Sequence, residues 1–246
     1  MQFLDAKKAL ARKLNIDYDT IAQNDLFKES DLESYINIAG LKAWDVTFWD
    51  FAEHSKKGTL TSTEVNEARI AYPFDIAPSS IYYFRIGGKK FSKRNFTAYQ
   101  DMFEENPDRK DRVWCEYKRY MFFNTKSEYA VVGALIEIYG KKTYTKLTRA
   151  TDLLPFSPDQ DEREFSGNEA IILLAYAQAL SSDKLKNPSQ AIAEEKKAMD
   201  ILGILKSQLD QGRASEQEQD RAMFNVPDLF RGGRARGASP IGGFSM

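Results

Sequence analysis

The run from Ala170 to Ala177, Ala-Ile-Ile-Leu-Leu-Ala-Tyr-Ala, constrains most what this chain can fold into. Its spacing predicts a helix over 169–180, capped by Asn168, that is apolar on nearly every side. A helix without a polar face is stable only where other elements cover it all round. The sequence therefore predicts a helical bundle assembled around this segment.

Three further helices are expected. An opening helix closes at Asn15, which tolerates the left-handed conformation. Ser30-Asp31-Leu32-Glu33 has the pattern of a capping box and predicts the start of a second helix. Asn187-Pro188-Ser189 predicts the start of the last one, because proline suits the first helical position. The stripe expected to face inward on that helix consists of Ile192, Met199, Leu202, Leu205 and Leu209.

Between Glu67 and Pro158 the apolar period becomes alternating, which is typical of strands. Gly87-Gly88 predicts a tight hairpin, since both residues accept positive backbone angles. Further strands are expected at 113–117, 134–139 and 143–147, with an exposed loop over Asp101 to Arg112. The predicted fold is therefore mainly α with an inserted antiparallel β unit, an α+β chain with a helical bundle and an extended C-terminal tail.

These patterns predict four regions: N-terminal helices over 1–66, the inserted β unit over 67–158, helices completing the bundle over 159–211, and a flexible tail over 212–246. From Gly212 the chain is rich in Gly, Ser, Arg and Gln, and no apolar period persists, so we expect disorder in a free subunit. Residues 231–246 contain arginines and no acidic residue. The apolar anchors and arginines of the tail are Phe224, Val226, Leu229, Phe230, Arg231, Arg234, Arg236, Ile241 and Phe244.

Three interpretations of this tail stay open. Spaced anchors on a flexible strand suit folding upon binding into a groove of a partner. The tail is alternatively a frayed terminus without function, or an RGG-like strand that binds nucleic acid. A phosphate-cradling loop is disfavoured at Arg231 to Gly237, because no strand precedes the segment and no helix follows it.

The composition speaks against most catalytic apparatus. Cys115 is the only cysteine and His54 the only histidine, so a catalytic triad or a zinc site would have to be built around a single imidazole. We expect His54 to be a solvated residue at a helix end, and we predict no enzyme, no metal and no cofactor. With 35 basic and 36 acidic residues, the chain is too balanced for a general nucleic-acid coat. No apolar run approaches the ~20 residues of a membrane span, and no signal peptide is visible, so folding in a cytosol is expected.

The order of elements resembles that of the head-to-tail adaptor (connector) proteins of tailed phages, which in short-tailed phages are called tail tubular or gatekeeper proteins. A capped helix carries Tyr35 to Ala39 with Trp44 and Trp49, and a hairpin follows at Tyr82 to Lys89. The segments that complete the resemblance are Tyr72-Pro73-Phe74-Asp75, Leu153-Leu154-Pro155-Phe156, Asn168 to Ala177 and Ala191 to Lys206. This chain departs from the smaller adaptors in its long β insertion and its Gly/Arg-rich terminus.

The resemblance implies a structural virion protein of the neck between capsid and tail, assembled in the host cytoplasm. Its partners would be copies of itself in a dodecameric ring, the portal protein, a tail or nozzle protein, and packaged DNA held without sequence specificity. The tail residues above would bind the portal. The residues expected at the subunit interface are Trp44, Phe48, Trp49, Ile172, Tyr176 and Leu202. The alternative is a phage-encoded nucleic-acid-binding protein with an RGG-like tail.

Overall fold

A computed structural model of the chain describes residues 1–157 and 162–224. It divides into two compact units, Met1–Leu205 and a second that begins at Lys206. The helices are α1 (Phe3–Lys13), α2 (Glu29–Asp45), α3 (Ser62–Glu67), α4 (Phe96–Glu105), α5 (Glu162–Ser181) and α6 (Pro188–Phe224), with short 3-10 helices at Tyr18–Gln23 and Asp50–Ala52. The strands are β1 (Glu53–Thr59), β2 (Arg69–Ala71), β3 (Tyr83–Ile86), β4 (Lys89–Arg94), β5 (Val113–Tyr117), β6 (Tyr120–Phe123) and β7 (Leu135–Lys141).

The strands of the described chain form one seven-stranded sheet in the order β1-β7-β3-β4-β5-β6-β2, curled into a half-barrel. The expectation of a mainly helical bundle with a small antiparallel insertion is therefore wrong. The sheet is mixed, because β4 and β5 pair in parallel. It also begins before Glu67, since β1 pairs with β7 along its whole length. Edge strands such as β1, which carries mostly charged and polar side chains, lack a local apolar signal and were missed for that reason.

Alternation along the strands places the apolar side chains of the half-barrel on its inner face. The largest of them are Phe84, Phe91, Trp114 and Phe123, all fully buried. Phe84 packs edge-on against the rings of Phe91 and Trp114, at centroid distances of 5.9 and 5.4 Å. Aromatic residues bury the most apolar area per side chain, so this cluster contributes strongly to the stability of the sheet.

The predicted hairpin is confirmed. Gly87 and Gly88 have φ of +56° and +75° and join β3 to β4 by a two-residue turn. The loop expected over Asp101 to Arg112 is wrong in its first half, which belongs to α4. A parallel pair requires a crossover connection, and α4 provides it between β4 and β5. The side chain of Asn95 caps the start of α4 by accepting a hydrogen bond from the Ala98 amide at 2.7 Å. Asparagine is a preferred N-cap residue, so the sequence contained a signal for this helix start.

The strand expected at 143–147 does not form, because β7 runs on to Lys141 and the chain then lies along α2. There the buried Asn37 accepts a hydrogen bond from the Leu147 amide (2.7 Å) and donates one to the Leu147 carbonyl (3.0 Å). Tyr144 lies against Gly40, where an added Cβ would overlap its hydroxyl oxygen. Hydrogen bonds from the side chain of Asn37, and not the backbone bonds of a strand, therefore hold this segment in place.

The helical layer is built from α1, α2, α5 and the first part of α6. α5 packs on α2 and α1, and all but one residue from Ala170 to Ala177 is buried, as its apolar character predicts. Asn15 closes α1 with φ of +58°, as expected, and α6 begins at Pro188 after Asn187.

Two predicted helix starts are wrong. α2 begins at Glu29, with Asp31 accepting from the Lys28 amide, and Asn168 lies inside α5 near Ser157.

The prediction of a tail that loses regular structure at Gly212 is also wrong for its first part, since α6 continues to Phe224. The rest of the tail, from residue 225 onward, lies outside the described residues. It includes Val226, Leu229, Phe230, Arg231, Arg234, Arg236, Ile241 and Phe244.

Candidate assembly surface on the helical layer

Two ion pairs join α2 to the α5–α6 hairpin. Lys184, in the turn between α5 and α6, contacts Asp31 at 2.5 Å. Lys42 contacts Glu195 on α6. Lys184 and Glu195 are separated by as many residues as Asp31 and Lys42, so α6 runs alongside α2 in the same direction. One ion pair thus joins α2 to the turn before α6, and the other joins α2 to α6 itself.

The floor of this gap is α5. A small cavity of about 140 Å³ lies between Lys42 on α2, Leu174 and Ala177 on α5, and Ala191 and Ile192 on α6. We call it the α2/α6 groove. Ala191 and Ala198 face inward on α6 and are buried. Their small side chains therefore occupy inner positions of the helical layer.

This placement corrects the predicted stripe of α6. Leu202, Leu205 and Leu209 are buried as expected, but Ile192 is 68% exposed and Met199 is 37% exposed. The buried face of α6 contains Ala191 and Ala198 in place of Ile192 and Met199. A prediction that chooses the buried face by side-chain size alone therefore selects the wrong residues.

Exposed apolar residues line the outside of this groove. Ile38 lies four residues before Lys42 and is 52% exposed, and Ile192 lies three residues before Glu195. Both are therefore one helical turn from the Lys42–Glu195 ion pair, on the two helices that it joins. Among the residues of these helices whose side chains the structure describes, the large exposed apolar ones are Ile38, Leu41, Ile192, Met199 and Ile204. Exposed apolar residues on two joined helices favour contact with another protein.

The residues expected at a subunit interface have a different placement. Trp44, Trp49, Ile172 and Leu202 are buried within the chain itself. Trp44 donates from Nε1 to the carbonyl of Lys142, and Trp49 donates from Nε1 to that of Ala43. Phe48 and Tyr176 are partly exposed; Phe48 packs edge-on against Tyr82, and the Tyr176 hydroxyl accepts a bond from Gln190. The tryptophans thus join the sheet to the helices, and whether any of the six also meets a sister subunit stays a prediction.

His54 lies in a strand and not at a helix end, so that prediction is wrong. Its Nε2 lies 2.9 Å from Asp75 Oδ2, and Lys56 lies 3.7 Å from the same oxygen. Burial opposes ionisation of Asp75, but the hydrogen bond from His54 and the nearby Lys56 hold its pKa below the usual value. These contacts tie the 72–77 segment to β1.

Cys115 is fully buried in β5, and burial raises the pKa of its thiol to about 12. The group therefore stays protonated at neutral pH and is a poor nucleophile. Across residues 1–157 and 162–224 there is no group of three or more His, Cys, Asp or Glu residues that could hold a metal ion. Nor does any helix in those ranges have the length and apolar character to cross a membrane.

Comparison of the chain with protein-family models and with curated proteins gave no match.

Proposed function

We propose that the chain is a structural protein of a tailed-phage particle, a head-to-tail adaptor that forms a ring with copies of itself beneath the portal. In that ring it extends the DNA channel and provides a docking face for the tail. The observation that carries the proposal is the exposed apolar side of the α2/α6 groove. Ile38 and Ile192 are exposed to solvent, although the helices that carry them are already packed on their other side. Contact with a second molecule would bury these two apolar side chains.

An apolar surface on one side of a subunit can pair with a different surface of its neighbour. Such a head-to-tail contact closes into a ring when the rotation between copies is a fraction of a full turn. Addition to the portal would be ordered by the tail over 212–246, whose spaced anchors and arginines suit a groove of the portal.

Assembly on the portal tests this proposal. The full chain is mixed with the portal ring of the virus that encodes it, and mass photometry and negative-stain images report the number of copies bound. Ile38→Glu combined with Ile192→Glu is expected to reduce ring occupancy at least tenfold, because the contact would bury two charges. The matched control is Phe74→Glu, since Phe74 is the most exposed large apolar residue described, at 90%, and lies beside the sheet. It is expected to leave ring formation unchanged.

Deletion of 212–246 is expected to abolish attachment to the portal while the first compact unit stays folded, as circular dichroism would report. A truncated chain that attaches as well as the full chain would remove the portal-binding role of the tail. A full chain that stays monomeric with its portal, is absent from particles and turns over a small molecule would overturn the proposal as a whole.

One observation favours the second candidate function, a nucleic-acid-binding protein. Cations and aromatic rings alternate at the β3–β4 hairpin, as they do in many nucleic-acid interfaces. Such a protein would bind nucleic acid without any portal. If the RGG-like tail were the binding element, loss of Arg231, Arg234 and Arg236 would reduce the dependence of its affinity on salt.

A further inference from the structure

A cavity of about 440 Å³ lies between the crossover helix α4 and strand β6, and it is open to solvent on one side. Its walls include the rings of Tyr99 and Phe103 on α4 and of Phe122 on β6, all partly buried. The rings of Tyr99 and Phe103 lie 4.9 Å apart between centroids. We call this cavity the α4 groove.

The size and the walls of the α4 groove suit an aromatic side chain. An apolar cavity of roughly 150 Å³ is already large enough to bind benzene. The groove therefore has room for a phenyl ring and for part of the chain that carries it. A ring that enters also gains offset or edge-on contacts with the aromatic side chains around it.

The helix beside the groove is acidic. Over Phe96–Glu105 it carries Asp101, Glu104 and Glu105 and no lysine or arginine, and Glu104 lines the groove itself. Asp101 lies three and four residues before the two glutamates, so the three like charges share one side of the helix. They also lie toward its C-terminal end, where the helix dipole disfavours negative charge. This arrangement costs stability in the free protein.

Neighbouring cations do not balance these charges. Arg109 pairs with Asp111, and Lys126, on the rim of the groove, lies 3.7 Å from Asp108. Within residues 1–157 and 162–224, no lysine, arginine or histidine lies within ion-pair distance of the three α4 carboxylates. Local rules are typically broken in this way where a site serves a partner. A partner that fits the groove would bring an aromatic anchor and several positive charges.

One segment of this chain has that composition. Phe230 is followed closely by three arginines, Arg231, Arg234 and Arg236, and no acidic residue follows them. Arginine forms bidentate hydrogen bonds with carboxylates, so the three arginines match the three acids of α4 in number and chemistry. Residues 225–246 follow the last helix, and a chain of that length spans roughly 70 Å when extended, which is enough to reach a second molecule.

We propose that the α4 groove binds this Phe230-to-Arg236 segment from a second copy of the chain. The Phe230 ring enters between the aromatic walls, and the arginines contact the carboxylates of α4. The contact is head-to-tail, because the groove and the segment are different surfaces. The inference goes beyond the proposed function, since it requires neither a portal nor a ring. On a portal, the portal groove would compete for the same anchors.

Binding of a labelled peptide tests the inference. A fluorescent peptide of residues 225–238 is titrated with the full chain carrying Phe230→Ala, whose own tail no longer competes, and anisotropy reports the affinity. Glu104→Lys combined with Glu105→Lys in the full chain is expected to weaken binding about tenfold or more. The melting temperature should not fall, because lysine suits the end of a helix better than glutamate. A peptide carrying Phe230→Ala is also expected to bind about tenfold more weakly or worse.

The matched control reverses two exposed carboxylates away from α4, as Asp25→Lys and Asp200→Lys, and is expected to leave the affinity unchanged. An equal loss of affinity in this control would overturn the inference. So would undetectable binding of the unchanged peptide. A peptide that binds a nucleic acid, but binds the chain equally well with and without the α4 reversal, would favour the RGG-like interpretation of the tail instead.

Cross-linking identifies which molecule supplies the segment. Full chain with the photoreactive residue benzoylphenylalanine in place of Phe230 is prepared in isotopically heavy and light forms, which are mixed and irradiated. Mass spectrometry is expected to find heavy–light cross-links to peptides of α4 or β6. Cross-links confined to chains of one isotope would show that the tail contacts its own chain and would overturn the assignment to a second copy.

The outcomes separate this inference from the adaptor proposal. Rings that form on the portal while the peptide fails to bind would sink this inference alone. Peptide binding to the α4 groove without rings on the portal would sink the adaptor proposal and leave the α4 groove standing.

Discussion

The sheet and the helical layer are stabilised in different ways. The core cluster inside the half-barrel is made of apolar side chains, and the Lys93–Glu116 ion pair lies beside it. In the helical layer Lys7, Asn37 and Asn168 are buried among apolar residues and rely on directional bonds. Non-directional burial tolerates changes of similar volume, whereas a buried polar group is costly once its partner is removed. We therefore expect the sheet to resist conservative substitution better than the helices.

The largest effect is expected in the sheet core. Trp114→Ala removes a fully buried indole that packs against Phe84, so we expect a loss of about 3–5 kcal/mol in the free energy of unfolding. Trp114→Phe, which keeps most of the apolar volume, should cost less than half as much. Urea denaturation followed by circular dichroism measures both. Equal losses would mean that the sheet core depends on the shape of this one side chain more than on its burial.

A directional bond in the helical layer is expected to come next. Asn37→Ala leaves the amide and carbonyl of Leu147 without the partners described above, at a cost of about 2–3 kcal/mol. Asn37→Leu, which restores volume but no hydrogen bond, should not recover the loss. The same denaturation experiment reports it. If Asn37→Leu recovered the full free energy of unfolding, the helical layer would depend on apolar burial in the same way as the sheet.

Two helical glycines should respond in opposite directions to the same change. Gly40→Ala places a Cβ against the Tyr144 hydroxyl, so we expect a loss of about 1–3 kcal/mol from overpacking. Gly203→Ala on α6 meets no atom within 4 Å and should stabilise by roughly 0.5–1 kcal/mol through helix propensity. Thermal unfolding of both variants measures the signs. Stabilisation by both would show that Tyr144 moves aside without cost.

The smallest effect concerns the buried lysine of α1. Lys7 is 4% exposed and donates to Glu29 at 2.5 Å and Glu33 at 3.0 Å. Burial alone would lower the pKa of Lys7, but these bonds raise it above its usual value, and the bond from Lys7 holds the pKa of Glu29 below its usual value. Because Glu29 and Glu33 stay partly exposed, Lys7→Met should cost only about 1 kcal/mol at neutral pH.

The pH dependence gives this prediction its sign. A depressed carboxyl pKa contributes stability that is present above the unfolded value of 4.5 and is lost as the pH falls through the folded value. The difference between the wild-type protein and Lys7→Met should therefore shrink on acidification below that value. Unfolding free energies measured at neutral and acidic pH test this. A difference independent of pH would indicate that Lys7 acts through packing on Phe3 and Tyr18 alone.

Local patterns predicted the elements better than their arrangement. The Gly87-Gly88 turn, the start of α6 and the burial of Ala170 to Ala177 were readable because each depends on neighbouring residues alone. The polar strand β1 was missed, because its partner strand β7 lies far along the chain. The crossover helix α4 was missed although Asn95 is a preferred N-cap residue. At the candidate surface, side-chain size predicted Ile192 inside, and only the tertiary structure, in which Ala191 and Ala198 are buried instead, shows that it lies outside.

By itself, the amino-acid sequence determined the alternation that separates an apolar from a charged side of each strand, the two-residue hairpin and the need to cover the central helix. It also limited the sites that require several cysteine or histidine side chains, since the chain has one of each. The tertiary structure alone decided the strand order, the parallel pair, and the meeting of Lys57, Arg85 and Lys90 in one row. The physical reason is that periodicity records which way a side chain points, whereas register between distant strands depends on contacts that no local pattern contains.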